Sequence, residues 1–565
     1  MENLPVAKIS FRTLGLVASL FSLTFLFSTS PVSAATLDDF YGPLMPSGKM
    51  LYKSEADVYA MQERGIHGSA SFSGFVSEPQ TYSVRNGLTV PLWSGSELSV
   101  GLQNELPARY DRATKNNAGV VSSYQRYHLD LGQQLDLAGR YRRGSDEFTL
   151  GVFMKRGESD WLYGPTRESQ PSIINYFDSA YEEAGVSWRH LSEADSGDTA
   201  ASPAFFDRPL LDSRQLNIEG GLTVCNGRVT RHRQYYHPTA SQAQQYLFRT
   251  ETHAFPKVTV RYGITPDVEA GIGFGFKTPF KYKYYYELYN QSGTRQFISG
   301  TYSYDRWLEL PLTLRIRPAE RWEWLGAAEF RHVSQKLDAW QRSTSGTLTD
   351  YPQKKLDLYQ MRPSLSLQYQ GGPVGQGTPP DTLLPDKRML GKGQSLSRLE
   401  WCKDISISRG NVVNGAQNLA DPYDLYRYPL EFFREGTEYS ALLSGNNGTT
   451  PAQVSPQNYH EFRAGLDYGF ADTLNMGILV GYRTSAHTHQ FSLSDLAQRQ
   501  YIFRPFYYLD WNADWRVGKS VLLFSNVHFV PDYKTSMTSS LASTPEEFKD
   551  HTRYVVATAG VRILF

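Results

Sequence analysis

The most informative feature of the chain is a repeated alternation of apolar and polar residues with a period of two. In the last twelve residues, one face of an extended segment carries Val555, Ala557, Ala559, Val561, Ile563 and Phe565. The opposite face carries Tyr554, Val556, Thr558, Gly560, Arg562 and Leu564. Successive side chains of a strand point to opposite sides, so this pattern predicts a β-strand with one wholly apolar face.

The same alternation recurs in pairs of segments joined by short polar turns. Residues 462–470 and 474–482 flank Ala471-Asp472-Thr473, and residues 257–264 and 268–276 flank Thr265-Pro266-Asp267. Counted back from Phe565, roughly 16 to 18 such segments follow residue 82, a number typical of large membrane barrels. The pattern predicts an all-β fold, a transmembrane antiparallel β-barrel over residues 82–565.

A soluble sandwich also alternates, so segment length and aromatic placement must decide between the two folds. The segments run for about 10 to 13 residues, which suits tilted membrane strands better than ordinary strands of 5 or 6. Aromatic pairs stand at segment ends, where an interfacial girdle is expected; they are Tyr468/Phe470, Trp322/Trp324 and Trp511/Trp515. Both observations favour the membrane barrel.

The connections between segments predict which end of the barrel faces which side. Short turns alternate with long polar stretches at residues 336–351, 410–457 and 531–550. This asymmetry predicts short periplasmic turns and long extracellular loops. Residues 371–394, with four prolines, fall on the short-turn side, so they form either an unrecognised hairpin or an unusually long turn.

The N-terminus has the pattern of a targeting segment. Lys8 and Arg12 precede an apolar run over residues 14–27, and small residues suggest cleavage after Ala34. Residues 1–34 are therefore predicted to be a signal peptide, and residues 35–81 a periplasmic N-terminal segment or a plug. No later stretch approaches the roughly 20 apolar residues of a spanning helix.

Composition changes this picture little. The chain of 565 residues balances 57 basic against 57 acidic residues, and its mean hydropathy of −0.45 reflects the cancellation of two strand faces. Zero net charge gives no sign of a nucleic-acid partner. Cys225 and Cys402 lie outside any metal-ligand pattern, and their spacing leaves pairing open. No metal or cofactor is expected.

A signal peptide, alternating strands and a terminal Phe565 on an apolar face together resemble the Gram-negative outer-membrane β-barrel superfamily. Val555–Phe565 resembles the family's C-terminal strand, which the barrel-insertion machinery reads as a membrane-insertion signal. The hairpin Val258–Phe274 is similar to a strand–turn–strand unit of many outer-membrane transporters. The resemblance implies a cell outer-membrane location and contact with outer-membrane lipids and lipopolysaccharide. It implies no substrate and no oligomeric state.

Alternation places a set of charged residues on the faces opposite the apolar ones, where they would line a lumen. These pore-lining candidates are Lys257, Arg261, Glu269, Arg315, Arg317, Glu329, Arg331, Glu461, Arg463, Asp467, Arg483, Arg504, Asp510, Asp514 and Arg562. Rings of charge in a water-filled pore select permeant solutes, whereas paired ions can also fill a closed lumen. Since barrels of this size usually leave a channel, the favoured function is a non-enzymatic, porin-like channel for small polar or ionic solutes.

Three other interpretations stay open at this point. His332 and Ser334 lie on the lipid-facing side and match the His-x-Ser pair of outer-face lipid hydrolases, although Gln335 departs from that pattern. Residues 35–65 could dock periplasmic partners of an export or assembly barrel. The basic run Arg140–Arg143 is interpreted as solvated charge at a strand end, with an anion-binding wall as the alternative.

Overall fold

The computed structural model describes the chain from Leu44 to Phe565 in fourteen stretches. They are residues 44–68, 73–77, 80–115, 121–164, 173–192, 210–235, 243–289, 295–342, 347–373, 382–384, 389–410, 453–491, 498–539 and 546–565. Within them, no helix has the length and apolar character needed to cross a membrane.

The described residues form twenty-three extended elements of one sheet. The first eleven are β1 (Leu51–Gly68), β2 (Ser73–Ser77), β3 (Gln80–Trp93), β4 (Ser96–Leu106), β5 (Ala108–Lys115), β6 (Val121–Arg143), β7 (Asp146–Gly164), β8 (Ile173–Leu191), β9 (Leu216–Tyr235), β10 (Ala243–Thr265) and β11 (Val268–Lys277). The others are β12 (Phe280–Tyr289), β13 (Arg295–Ala319), β14 (Trp322–Arg342), β15 (Leu348–Gly371), β16 (Ser395–Gly410), β17 (Gln453–Ala471), β18 (Leu474–Arg483), β19 (Ala486–Phe491), β20 (Gln498–Phe503), β21 (Phe506–Val517), β22 (Val521–Ser539) and β23 (Glu546–Leu564).

Five pairs of these elements are two halves of one barrel strand interrupted by a short break. They are β2/β3, β4/β5, β11/β12, β18/β19 and β20/β21. Merging them gives a closed antiparallel barrel of 18 strands. The predicted fold class is confirmed, and the strand number lies at the upper limit of the predicted range.

The barrel closes by pairing its first strand with its last. β1 and β23 run antiparallel from Leu51 opposite Leu564 to Gly68 opposite Glu547. In hydrocarbon an unpaired backbone N–H or C=O has no water to bond, so an open edge would carry a penalty of several kcal/mol per group. Closure gives these edge groups partners.

The two faces of the wall have opposite chemistry. On β11, Ile272 and Phe274 are 52% and 45% exposed on the outside, whereas Glu269 is 2% exposed on the inside. Large aromatic side chains stand exposed near the short turns; they include Trp93, Trp322, Trp324, Phe470 and Trp515. An apolar outer surface with an aromatic girdle and a charged interior is the architecture of an outer-membrane barrel.

The strands are longer than the alternation predicted. β6 has 23 residues and β13 has 25, so both continue beyond the membrane. Two predicted long loops are therefore wrong, because β14 runs to Arg342 before β15 begins at Leu348, and β22 runs to Ser539 before β23 begins at Glu546. Beyond the lipid both faces of a strand meet water. These parts of the strands therefore lack the alternation of apolar and polar residues from which strands were predicted. Residues 411–452 of the third predicted loop lie outside the described residues.

The barrel begins earlier than the predicted boundary at residue 82. β1 pairs with β3 and β23, so residues 51–68 are wall and are not available to dock a partner. The prediction failed because the outer face of β1 carries small or weakly apolar residues such as Ser54 and Ala56. The predicted signal peptide and residues 35–43 lie outside the described residues.

Residues 371–394 prove to be a long turn in their described part. β15 ends at Gly371 and β16 begins at Ser395, and the segment folds into the barrel at its short-turn end. Leu383, Leu384 and Met389 pack there in one cluster with Leu522 on the inner face of β22. A signal of period two could not predict this, because a segment that enters the lumen has no lipid-facing side.

Replacing an outer-face residue with arginine tests this assignment of faces. Ile478→Arg should destabilise the barrel by about 2–4 kcal/mol, the range for a cation near the bilayer midplane. Leu479→Arg, one position along the same strand, places its charge in the lumen and should cost much less. Urea unfolding in lipid vesicles measures both, and equal losses would contradict the assignment.

Candidate functional site: the charged lumen

The predicted pore-lining residues lie on the inner wall, with one departure. All except Arg504 belong to strands and occupy the face opposite the exposed apolar side chains. Arg504 lies in the break between β20 and β21, where its backbone N–H donates to the carbonyl of Lys534. The interior therefore holds the charges that alternation assigned to it.

Near the short turns, the inner charges form closed ion-pair networks. In the first of them, Arg140 contacts Glu97 at 2.6 Å and Glu147 at 3.9 Å. Glu147 also pairs with Arg142 and, at 3.0 Å, with Arg189. Arg140, Glu97 and Glu147 are almost fully buried, so the expectation of solvated charge is wrong for Arg140.

A second network lies on β11, β13 and β14. Arg315 contacts Glu323 at 2.7 Å and Glu269 at 3.7 Å, and Arg317 contacts Glu323 at 3.1 Å. All four side chains are at least 90% buried. Buried ions of this kind are tolerated only when paired, because desolvation of an isolated charge costs several kcal/mol. These networks line the inner wall at the short-turn end.

Three short segments fold inward at this end and are called hooks here: residues 45–49, 211–215 and 390–394. The backbone N–H of Met45 donates to Glu97 at 2.9 Å, and that of Leu211 donates to Glu269 at 3.1 Å. The amide of Asn475 bonds both the N–H and the C=O of Leu390, at 2.7 and 3.0 Å. Each hook is therefore held by one inward side chain of the wall.

The turn that precedes the third hook reaches across to the last strands. The guanidinium of Arg562 donates to the carbonyl of Leu383 at 2.8 Å, and Leu51 and Leu564 flank the apolar cluster around Leu383. Arg562 thus holds the backbone of this turn, a contact that charge patterning alone could not predict.

Further from the short turns, the inner charges are open to the lumen. The side chains of Arg362 and Arg463 are 47% and 42% exposed, and Lys257 is also exposed. Arg463 reaches Glu461 at 2.8 Å and Glu400 at 3.4 Å. The charged wall is therefore closed at one level and water-accessible at the next.

Cations and aromatic rings also meet on the inner wall away from the short turns. The ammonium of Lys277 lies 3.8 Å from the ring centroid of Trp307, and the guanidinium of Arg483 lies 3.5 Å from that of Tyr459. Cation–π contacts of this geometry stabilise a partly desolvated positive charge. They hold Arg483, a predicted lining residue, and Lys277, which strand alternation also places on the inner face, against the wall.

Two further predicted residues are paired with groups that the sequence did not indicate. Asp467 contacts Arg398 at 3.0 Å, and Asp510 pairs with His528. Arg362 contacts Asp404 at 2.7 Å on neighbouring strands. Glu97, Glu147 and Asp404 were missed because the early strands and β16 alternate weakly. Arg362 was overlooked although β15 alternates clearly over residues 359–369.

The hydrolase alternative rests on His332 and Ser334, which the structure places on the outer face of β14. The imidazole of His332 stacks on Tyr359 at 4.4 Å, and its Nε2 lies 3.9 Å from Asp357. Among the described contacts no hydrogen bond joins His332 to Ser334. His332 is instead turned toward Tyr359 and Asp357 of the neighbouring strand, so the two residues do not form a nucleophile–base pair.

The predicted membrane-insertion strand forms most of β23. Ala557 lies between Val58 and Val527 and is 1% exposed, whereas Phe565 at the end of the chain is 56% exposed. Cys225 and Cys402 are both free thiols, on β9 and β16. Within the described stretches, no group of three metal-ligating side chains is close enough to hold an ion.

Comparison with known proteins gives the following findings. No protein-family model and no curated protein matches the chain. Among solved structures, the toluene transporter TodX of P. putida is similar at 10% identity and a TM-score of 0.33, with 95% of this chain and 93% of that chain covered. The toluene transporter TbuX of Ralstonia pickettii is similar at 9% identity and a TM-score of 0.34, with 95% and 94% covered.

A third similar structure is the ferripyoverdine receptor of Pseudomonas aeruginosa, at 7% identity and a TM-score of 0.37. It covers 93% of this chain and 72% of that chain. With identities of 7–10% and TM-scores below 0.4, these similarities do not indicate the function of this chain.

Removing one buried carboxylate tests the closed networks. Glu323→Ala should destabilise the barrel by about 3–5 kcal/mol, because Arg315 and Arg317 lose a partner in a buried site. Glu329→Ala on the same strand removes a partly exposed carboxylate and should cost under about 1 kcal/mol. Chemical unfolding in detergent micelles compares them, and a difference near zero would show that the network is solvated.

Proposed function

We propose that the protein is a channel of the Gram-negative outer membrane that passes small polar or ionic solutes through its charged lumen. The observation that carries the proposal is the change in exposure of inner charges along the barrel axis. Glu269 and Arg315 are buried near the short turns, whereas Arg362 and Arg463, further along the barrel axis, are open to solvent. Charge that remains solvated inside a closed wall is what a water-filled passage requires.

The exposed inner charges favour anions. Among the described inner-wall side chains, Lys257, Arg362 and Arg463 are exposed cations. The carboxylates Glu329 and Asp510 are somewhat less exposed than these cations. Charges of both signs form ion pairs, which are Glu329 with Arg331 at 3.1 Å, Asp510 with His528, Arg362 with Asp404 at 2.7 Å and Arg463 with Glu461 at 2.8 Å, so the difference between the signs is one of exposure. A lumen with an excess of solvated positive charge raises the local concentration of anions.

The route to the membrane completes the proposal. Residues 1–34 would act as a cleaved signal peptide, and β23 would be read by the barrel-insertion machinery through its apolar face. The aromatic girdle would lie among outer-membrane lipids, with lipopolysaccharide around the opposite rim. The channel needs no cofactor, and its oligomeric state is left open.

Removing the two exposed inner arginines tests the channel directly. The double variant Arg362→Gln/Arg463→Gln should shift the reversal potential of a planar bilayer in a salt gradient toward cation preference, because two solvated positive charges leave the lumen. Lys519→Gln, in the turn between β21 and β22, is the matched control and should leave selectivity near that of the parent protein. A folded protein that never conducts would overturn the channel.

Secretion supplies an independent check of location. The mature protein should begin at Ala35 in mass spectra of outer-membrane fractions, and Ala34→Leu should slow its processing because small residues are needed before the cleavage site. A full-length chain in the cytosolic fraction would contradict the proposed location.

A further inference from the structure

The three hooks have the same internal structure. In each, the fifth residue donates its N–H to the carbonyl of the second; the pairs are Lys49 to Pro46 at 3.0 Å, Gln215 to Asp212 at 2.9 Å, and Gln394 to Gly391 at 3.0 Å. The fourth residue has a positive φ in all three; the angles are 72° at Gly48, 64° at Arg214 and 78° at Gly393. Left-handed backbone is rare for a residue such as arginine, so its recurrence at one position is informative.

Each hook is also held at the same place in the sheet. The first residue of each hook bonds the first inward-facing residue of the strand that follows a short turn of the barrel. That residue is Glu97 on β4, Glu269 on β11 or Asn475 on β18. Those three residues pair in turn with equivalent positions on the next strand; the pairs are Glu97 with Arg140, Glu269 with Arg315, and Asn475 with Asp514.

The second and third hooks share two further backbone bonds. Gly263 donates to the carbonyl of Gln215 at 2.9 Å, and Gly469 donates to that of Gln394 at 2.9 Å. In return, the N–H of Arg214 donates to the carbonyl of Gly263 at 2.7 Å, and the N–H of Gly393 donates to the carbonyl of Gly469 at 2.8 Å. A Cβ at Gly263 or Gly469 would collide with a hook carbonyl, so glycine is required at both. At the equivalent position of the first unit stands Pro91, which has no N–H to donate.

The correspondence extends along the whole hairpin that holds the hook. Tyr262-Gly263 and Gly271-Ile272 recur as Tyr468-Gly469 and Gly477-Ile478, at identical spacing. At the far end, Thr278 exchanges two bonds with Ala254, and Thr484 exchanges the same two with His460. The ion pair between Glu219 and Arg261 recurs with its charges reversed between Arg398 and Asp467.

The strands divide into three sets of six at the same points. The sets are β1–β8, β9–β15 and β16–β23 when the split strands are counted once. In every set the third strand is interrupted near its middle, at β4/β5, β11/β12 and β18/β19. Generic barrel geometry requires antiparallel neighbours but not hooks, breaks and side-chain contacts repeated every six strands.

We propose that the barrel consists of three copies of one six-strand unit, and that the three hooks form a ring which limits solute size at the short-turn mouth. The threefold repeat stands on the contacts above, whereas the size limit rests on the proposed channel. The third copy differs from the other two in its inner charges. Leu522 occupies the position of Glu147 and Glu323, so an apolar site replaces the carboxylate, and Leu383 packs against it.

Hydrogen–deuterium exchange resolved by residue tests the repeat without any need for transport. In the folded parent protein, the amides of Lys49, Gln215 and Gln394 should all be protected. Asn475→Ala should raise the exchange rates of the Leu390 and Gln394 amides by about tenfold, since it removes the two side-chain bonds that hold Leu390 at the start of the third hook. Lys49 and Gln215 should keep their protection.

Two further variants keep this test informative. Asn475→Glu combined with Asp514→Arg installs the pair present in the other two units and should restore protection of the third hook. Asn512→Ala, on the inner face of β21 but away from the hooks, should leave all three protected. Unprotected hooks in the parent protein, or a third hook indifferent to Asn475→Ala, would overturn the repeat.

Polymer exclusion in planar bilayers tests the size limit separately. Asn475→Ala should admit a larger poly(ethylene glycol) from the short-turn side than the parent protein does, whereas Asn512→Ala should not. Normal exchange results with an unchanged cut-off would reject the ring as the constriction. A parent protein that does not conduct would reject the channel and the ring, while the exchange results would still decide the repeat.

Discussion

The structure depends on one constraint, which is that every backbone amide in hydrocarbon must find a partner within the protein. The pairing of β1 with β23 meets it by removing both sheet edges. Successive side chains of a strand point to opposite faces, and closure makes one of these faces the outside of the barrel and the other its lumen. The apolar outer face of Ile272 and Phe274, and the charged inner face of Glu269, are two consequences of the same geometry.

What the interior does with its charges changes along the axis. At the short-turn end, Arg140 and Arg315 are buried among carboxylates, and the hooks bring backbone N–H groups to Glu97 and Glu269. One acidic side chain therefore serves both as a counter-ion and as an anchor. Further from the short turns, inner charges such as Arg362 and Arg463 stay solvated. Buried, paired charges at the short-turn end and solvent-exposed charges beyond them are the arrangement on which the proposed channel and its ring of hooks depend.

The sequence predicted the parts of the fold where lipid and water act on opposite strand faces. Val258–Phe274 and Leu474–Tyr482 are examples. The inner charges of such segments were assigned correctly because apolar and polar residues alternate there without interruption. The strand β1 and the strand ends beyond the membrane were missed, since neither presents a strongly apolar face. The hooks and the docking of Leu383 were also missed. Backbone bonds such as that from Leu211 to Glu269 join residues far apart in the chain and leave no periodic signal.

The central claim is that lipid lies on one side of this wall and water on the other. Spin labels placed singly from residue 474 to residue 482, read by collision with oxygen and with a water-soluble nickel chelate, measure it most directly. We expect oxygen accessibility to peak at 476, 478 and 480 and nickel accessibility at 475, 477, 479 and 481. Profiles that rise and fall together, or that show no period of two, would contradict a lipid-facing outer wall around a water-filled lumen.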